Sequence, residues 1–139
     1  LTTDKKIIED GILQNYLLDT YSSRKLKMDC TGNGVLTNIT MGSNKPLVTD
    51  VISTLENGIY ITDMMGSGAN TLTGDYSRGA FGYLVENGEI QYPVTEITVA
   101  SNLSQMFHNI IAIGDDVDLR NRIRTGSLLI DNITIGGTN

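Results

Sequence analysis

The sequence is poor in the residues from which hydrolytic and redox centres are usually built. Its 139 residues include one cysteine, one histidine and no tryptophan. A single cysteine cannot form an internal disulfide, which favours the reducing cytoplasm as the compartment. A zinc site usually draws three or four ligands from His and Cys, and Cys30 and His108 lie far apart in the sequence. We therefore expect no cofactor or metal centre made by this chain alone.

Long apolar runs and a positive charge balance are also missing. No window approaches the run of about 20 apolar residues that a membrane span requires, so the sequence predicts a soluble domain with no membrane partner. Ten Lys and Arg against sixteen Asp and Glu give a formal net charge of −6. This charge repels phosphate backbones and disfavours direct nucleic-acid binding.

The length fits a single domain with a real core. The chain starts at Leu1 with no Met, no basic region and no apolar signal segment. We interpret it as a mature protein or as a piece cut from a longer polypeptide.

Glycines, tyrosines and short β-branched runs are abundant, which predicts many strands and turns. We expect a strand–turn–strand at Asp10-Gly11 and a short helix capped by Asp19. Two longer helices are expected over residues 46–57, from Pro46 to a left-handed Gly58, and over 102–113, ended by Gly114. The sequence thus predicts an α+β fold, mainly antiparallel sheet with two principal helices packed on it.

The Asn87-Gly88 step is the clearest hairpin signal, because both residues tolerate the positive φ of a type I′ turn. Pairing outward from this turn sets one apolar face, which Ile97 and Val99 continue. The expected cross-strand pairs are Glu86 with Glu89, Val85 with Ile90, Tyr83 with Tyr92, and Phe81 with Val94. The end of the chain, "GSLLIDNITIGG", is expected to form a last strand pair or one bulged strand.

The polar stretch "TGDYSRGAFG" has none of the glycine patterns that bind nucleotides. We select Asp75, Ser77 and Arg78 as residues that contact a partner or a substrate peptide. An equally good interpretation is a loop held by an internal Asp–Arg pair and a Ser turn. The acidic run Asp115, Asp116 and Asp118 lacks an EF-hand spacing and is interpreted as capping or surface charge.

A family resemblance becomes visible in the long ordered block "TGDYSRGAFGYLVENGEIQYPVTEIT" and extends back to "DGILQNYLLDTYSSRKLKMDCTGNG". These segments closely resemble the C-terminal domain of the TldD/PmbA family, also called modulators of DNA gyrase. The resemblance implies that residues 1–139 are one C-terminal domain of a longer protein. It also implies a role in proteolysis or peptide maturation in the cytoplasm, by a complex of two related subunits.

In the TldD-type subunit, the resemblance implies that an H-E-x-x-x-H helix and a C-terminal Cys hold the metal, expected to be zinc. This chain has no H-E-x-x-x-H, and its segment "GDDVDLRNRIRTGS" has no Cys. It therefore resembles the PmbA-type subunit, also called TldE. The expected partners are a TldD-type paralogue or a second copy of itself, and a peptide or unfolded protein as substrate.

Two other functions stay open at this point. One is an independent hydrolase that uses Ser77 or Asp75 with His108. The other is a non-proteolytic binding module for gyrase or an antitoxin-type client. On the favoured interpretation, this chain supplies scaffold, partner interface or peptide groove and carries no catalytic residue.

Overall fold

The structure is a computed structural model that describes residues 3–32, 37–44 and 48–137. Its backbone forms two compact units, Leu1–Ile39 and Thr40–Asn139. In the first unit, β1 (Ile8–Glu9) pairs antiparallel with β2 (Ile12–Leu13). Asp10 and Gly11 between them both have positive φ. The predicted strand–turn–strand is confirmed.

The first unit also contains α1 (Thr20–Leu26). The Asp19 carboxylate accepts a hydrogen bond of 2.7 Å from the Ser22 N–H, as an N-cap should. Lys27 ends the helix in the left-handed conformation, with φ 54°. The short helix predicted from Asp19 is confirmed, and its fixed ends follow from local capping chemistry.

A four-stranded antiparallel sheet dominates the second unit. Its spatial order is β10 (Thr134–Gly136), β6 (Glu89–Asn102), β5 (Asp75–Glu86) and β4 (Asn57–Met65). Ala80, Ile97 and Val99 are buried together on one face of the sheet. Ile97 and Val99 therefore lie on the apolar side, as predicted.

The β5–β6 hairpin turns at Asn87 and Gly88, which have φ of 52° and 77°. Near the turn the register is the predicted one, with Glu86 opposite Glu89 and Val85 opposite Ile90. Farther out the prediction is wrong by one residue, because the register shifts between Tyr83 and Val85. Since a one-residue slip changes the pairing of every later position, the two outer pairs differ from those expected. They are Tyr83 with Pro93 and Gly82 with Val94.

The helix predicted over residues 46–57 is shorter in the structure. The two-residue strand β3 (Ile39–Thr40) precedes α2 (Val48–Ser53), while the predicted start at Pro46 lies outside the described residues. The Leu55 N–H donates to Ile52 and the Thr54 N–H to Val51, tightening the last turn. Gly58 is not a left-handed cap but a residue of β4, paired with Val85.

The helix predicted over residues 102–113 is half right. Asn102 caps α3 (Leu103–His108) by accepting from the Ser104 N–H at 3.0 Å. The chain then enters β7 (Ile110–Ile113), which pairs with β9 (Leu128–Ile130), so Gly114 ends a strand. Pairing with a distant segment overrides the helical spacing of the apolar residues.

The last described elements are β8 (Ile123–Arg124), β9 and β10. The expected final strand pair is wrong, because β9 pairs with β7 and β10 pairs with β6. Within the described residues, a mainly antiparallel sheet and a few short helices confirm the predicted α+β fold.

Candidate functional site: a groove beside the sheet and two polar segments

The loop that precedes β5 is held by its own hydrogen bonds. The side-chain oxygen of Asn70 accepts from the N–H groups of Leu72 at 3.0 Å and Thr73 at 3.3 Å. The Thr73 hydroxyl donates to the Asp75 carboxylate at 2.7 Å. Such side-chain-to-backbone bonds fix a turn without help from a ligand.

The three residues selected from the sequence have different surroundings on this framework. Asp75 and Ser77 are exposed, while Arg78 is half-buried. The Arg78 guanidinium donates to the carbonyls of Met64 at 3.0 Å and Met65 at 3.3 Å. The alternative of an Asp–Arg pair is therefore wrong, since Asp75 bonds Thr73 and Arg78 fastens the end of β4.

An apolar groove of about 760 Å³ lies in the second unit beside β4. Its lining includes every residue from Asn57 to Met64 on one side and from Ser127 to Ile133 on the other. Alternate strand residues point to opposite faces. The lining also includes Val99 of β6 and Ile135 of β10, so the groove extends from β4 across the sheet. Arg78 lines the same groove.

The groove was not predicted from the sequence. Its two sides are about seventy positions apart in the chain. Val51 and Ile52 of α2 and Leu55 after it also line the groove. Apolar residues of this kind read as ordinary core in a single sequence.

The segment from Gly114 to Ser127 is closed at its base. The Gly114 N–H donates to the Ser127 carbonyl at 2.8 Å. In return, Ser127 donates to the Asp116 carboxylate from its N–H at 2.8 Å and from its hydroxyl at 2.7 Å. These contacts fix the distance between the ends of β7 and β9.

Two carboxylates of this segment, Asp116 and Asp118, accept hydrogen bonds from within it. Partial burial opposes ionisation of Asp116, but the bonds from the Ser127 hydroxyl and N–H outweigh it and lower the pKa. The Arg120 guanidinium, bonded to both Asp118 oxygens at 2.9 Å, lowers the pKa of Asp118 to about 2. The carboxylates of Asp116 and Asp118 thus hold the loop, as the capping interpretation expects.

The remaining candidates have simple local contacts. His108 Nδ1 lies 2.7 Å from the Ser104 carbonyl oxygen, and within the described ranges no hydrogen bond joins His108 to Ser77 or Asp75. The Cys30 thiol is exposed and donates to the Leu18 carbonyl at 3.4 Å. Glu86 and Glu89 face each other across the turn. These contacts assemble no nucleophile with a base.

Among residues 3–32, 37–44 and 48–137, no group of three His, Cys, Asp or Glu side chains could hold a metal ion. No helix in the same residues is long and apolar enough to cross a membrane.

Comparisons with known proteins address the whole chain. Residues 1–137 match the family model described as the PmbA/TldA metallopeptidase C-terminal domain. A protein named metalloprotease PmbA homolog from Haemophilus influenzae is 47% identical over 98% of this chain and 31% of its own length. A crystal structure from Thermotoga maritima, described as a candidate modulator of a DNA gyrase, superposes with a TM-score of 0.88. It is 30% identical over 97% of this chain and 33% of its own.

TldD-named relatives match less well. A metalloprotease TldD homolog from Buchnera aphidicola is 28% identical, over 95% of this chain and 33% of its own length. That alignment runs over 158 positions, more than the 139 residues of this chain, so the TldD relative carries insertions. The chain spans about a third of the length of the curated relatives it matches.

Proposed function

This chain belongs to the PmbA/TldA metallopeptidase C-terminal domain family, and we propose that it is the C-terminal domain of a PmbA-type (TldE-type) subunit in a cytoplasmic metalloprotease complex. In this proposal its residues act as scaffold, partner interface or peptide groove. A TldD-type paralogue supplies the metal, zinc, and the hydrolytic centre. The complex cleaves or matures peptides and unfolded proteins.

One observation carries the assignment to the PmbA type. The chain is 47% identical to a PmbA relative over 143 aligned positions but 28% identical to a TldD relative over 158. The first alignment is only slightly longer than this chain of 139 residues, so the PmbA relative has few insertions relative to it. This chain is therefore nearer to the PmbA relative than to the TldD relative, both in sequence identity and in alignment length.

The geometry of the Gly114–Ser127 segment supports the same assignment. This is the segment in which the resemblance places the metal-binding Cys of TldD-type chains. Here Asp116 is engaged by Ser127 and Asp118 by Arg120, so both carboxylates already have donors. A segment closed by its own hydrogen bonds is suited to a structural role.

The experiment measures zinc content and peptide hydrolysis in the full-length protein, in its TldD-type paralogue and in their mixture. We expect stoichiometric zinc in samples that contain the paralogue, and hydrolysis of a quenched-fluorescence peptide that increases when both proteins are present. Chelation should abolish turnover of the mixture, because the metal activates the attacking water. One zinc per chain in the full-length protein alone, with hydrolysis, would contradict the proposal.

Substitution of His108 separates the proposal from an independent hydrolase. His108→Ala in the full-length protein should leave hydrolysis by the mixture within about twofold, because His108 has no catalytic role in this proposal. If His108 were a general base, its loss would lower the rate by about 100-fold or more. Ser77→Ala is the companion variant. Loss of turnover in His108→Ala with intact assembly favours the hydrolase instead.

A binding module without protease activity predicts a different result. A stable client retained by the full-length protein without any TldD-type partner, and no turnover by the mixture, would favour that function. These preparations, together with the His108→Ala variant, therefore distinguish all three functions.

A further inference from the structure

The four-stranded sheet has a second face, on the side opposite the groove. Ala80 of β5 is buried on the groove side together with Val99. Because successive strand residues point to opposite faces, Tyr83 of β5 points away from the groove. Its Cα partner on β6, Pro93, shares that side, since residues directly opposite in an antiparallel pair point the same way. Both residues are exposed, so this face is open to solvent at Tyr83 and Pro93.

A row of aromatic and proline side chains crosses this face. Tyr60 of β4 is opposite Tyr83, and Tyr83 is opposite Pro93, so the row spans three neighbouring strands. Phe81, two residues before Tyr83, extends it along β5. Tyr83 is 38% exposed, and Tyr60 and Phe81 are half-buried. A tyrosine fixed in a sheet with part of its ring accessible offers an apolar surface and a polar tip to a partner.

The charge beside this row is negative. Asp63 of β4 is opposite Phe81 on the same face, and it is exposed. Arg78 is the only basic residue between Asn57 and Asn102 in the sequence. It lies opposite Val99, on the groove side, and its guanidinium is bonded to backbone carbonyls there. Aromatic rings beside a carboxylate, with no cation of these strands on the same face, complement the charge of Lys or Arg.

The size of the row limits the partner. With strands about 4.8 Å apart and a rise of about 3.4 Å per residue, the region from Phe81 to Val85 on three strands covers roughly 200 Å² in projection. A stable folded partner buries about 800 Å² on each side. Even with allowance for the relief of the side chains, the row is too small for such a partner. It fits a short segment of extended chain.

We propose that this face, here called the open face and defined by Tyr60, Asp63, Phe81, Tyr83 and Pro93, binds short segments of unfolded polypeptide in which Arg or Lys stands among apolar residues. The cation lies against the Tyr83 ring near the Asp63 carboxylate, and the apolar neighbours contact Phe81 and Pro93. The inference names a substrate class for the protease complex and in that respect rests on the proposed function. Binding itself requires neither metal nor turnover.

Fluorescence anisotropy of the full-length protein, without its paralogue, tests the open face. The probe is a short dansyl-labelled peptide that repeats Arg-Leu-Ser, and its counterpart has Glu in place of Arg. We expect the Arg peptide to bind at least about tenfold more tightly, because the rings and the carboxylate attract a cation and repel an anion. Added salt should reduce this preference by screening the exposed Asp63.

Variants locate the binding on this face. Tyr83→Ala should weaken binding of the Arg peptide about fivefold, whereas Tyr83→Phe keeps the ring and should bind within about twofold of the wild-type protein. Tyr21→Ala is the matched control, because Tyr21 is a 72% exposed tyrosine of α1 in the first unit. Asp63→Asn should weaken the Arg peptide about threefold and leave a peptide with Gln in place of Arg unchanged. If Tyr83→Ala does not unfold cooperatively, Asp63→Asn decides.

Three results would overturn the open face as a peptide site. The first is equal binding of the Arg and Glu peptides, and the second is equal binding by Tyr83→Ala and Tyr21→Ala. The third is a Tyr83→Ala variant that loses assembly with the TldD-type paralogue but keeps its affinity for the peptide, which would make the face a subunit interface. A mixture that hydrolyses nothing, while binding still depends on Tyr83, would contradict the protease assignment and leave the peptide site in place.

Discussion

The β5–β6 ladder and the groove beside β4 belong to the same sheet, yet they differ in strand pairing and in the burial of their side chains. In the ladder, each strand has a partner on both sides, and Ala80, Val85 and Val99 are almost wholly buried. At the groove, β4 and β9 each have one strand partner among the described residues, and Ile135 is 42% exposed. The ladder is thus paired on both sides, whereas the groove leaves apolar side chains partly exposed.

This difference separates two sources of stability. The ladder depends on close approach of backbones and apolar side chains, which the domain provides by itself. The wall of the groove depends on hydrogen bonds at Ser127 and on Arg78, which fastens the end of β4. Substitutions in the first region should therefore have larger and less conditional effects than substitutions near the second.

Gly82→Ala should produce the largest loss. A Cβ at residue 82 would lie 2.1 Å from the backbone oxygen of Tyr60, so β4 and β5 would have to separate. We expect a loss of about 3 kcal/mol in the free energy of unfolding, measured by urea denaturation of the full-length protein. Gly136→Ala is the control, because no atom lies within 4 Å of its Cβ position. Equal midpoints for the two variants would contradict the close approach.

The cross-strand pair of Val85 and Ile90 shows where close packing on the β5–β6 hairpin ends. Val85 is 0% exposed and Ile90 49%, although the two residues are directly opposite. Val85→Ala should cost about 2 kcal/mol, from lost apolar burial and the cavity that remains. Ile90→Ala removes more carbon but should cost less than about 1 kcal/mol. Unfolding midpoints in the reverse order would place the core on the other strand.

The sequence predicts best where local chemistry decides the structure. Asp19 and Asn102 accept the bonds expected of N-caps, and Asn87 with Gly88 forms the expected turn. Each of these features depends on residues within a few positions of one another. The prediction is wrong where distant segments decide, as at residues 109–113, which pair with β9 instead of continuing α3.

The candidate site follows the same rule. The self-held loop around Asp75 could be anticipated from its Thr, Asn and Gly residues, but the partner of Arg78 could not, because Met64 and Met65 are placed by the sheet. The groove combines α2, β4 and β9, so its existence depends on tertiary packing alone. That Asp75, Ser77 and Arg78 contact a partner or peptide stays a prediction.

Acid should weaken the groove wall through Asp116. Partial burial of Asp116 raises its pKa, but the hydrogen bonds from Ser127 lower it by more, so the pKa is lowered in the folded protein. A carboxyl with a lowered folded pKa contributes stability that is present above its unfolded pKa, about 3.9 for Asp, and is lost as pH falls through the folded value. Between pH 5 and pH 2 the Gly114–Ser127 segment should therefore weaken.

The expected effect is the smallest of the three, under about 1 kcal/mol, because Asp116 is largely exposed and solvent screens its contacts. We expect the thermal unfolding midpoint to fall less steeply from pH 5 to pH 2 in Asp116→Asn than in the wild-type protein. Carboxyl NMR titration provides the direct measurement, with Asp118 as a reference that titrates near its pKa of about 2. If Asp116 titrates at or above the value of unfolded Asp, the bonds from Ser127 do not stabilise its charge. The groove wall must then be held by backbone contacts such as that from Gly114 to Ser127.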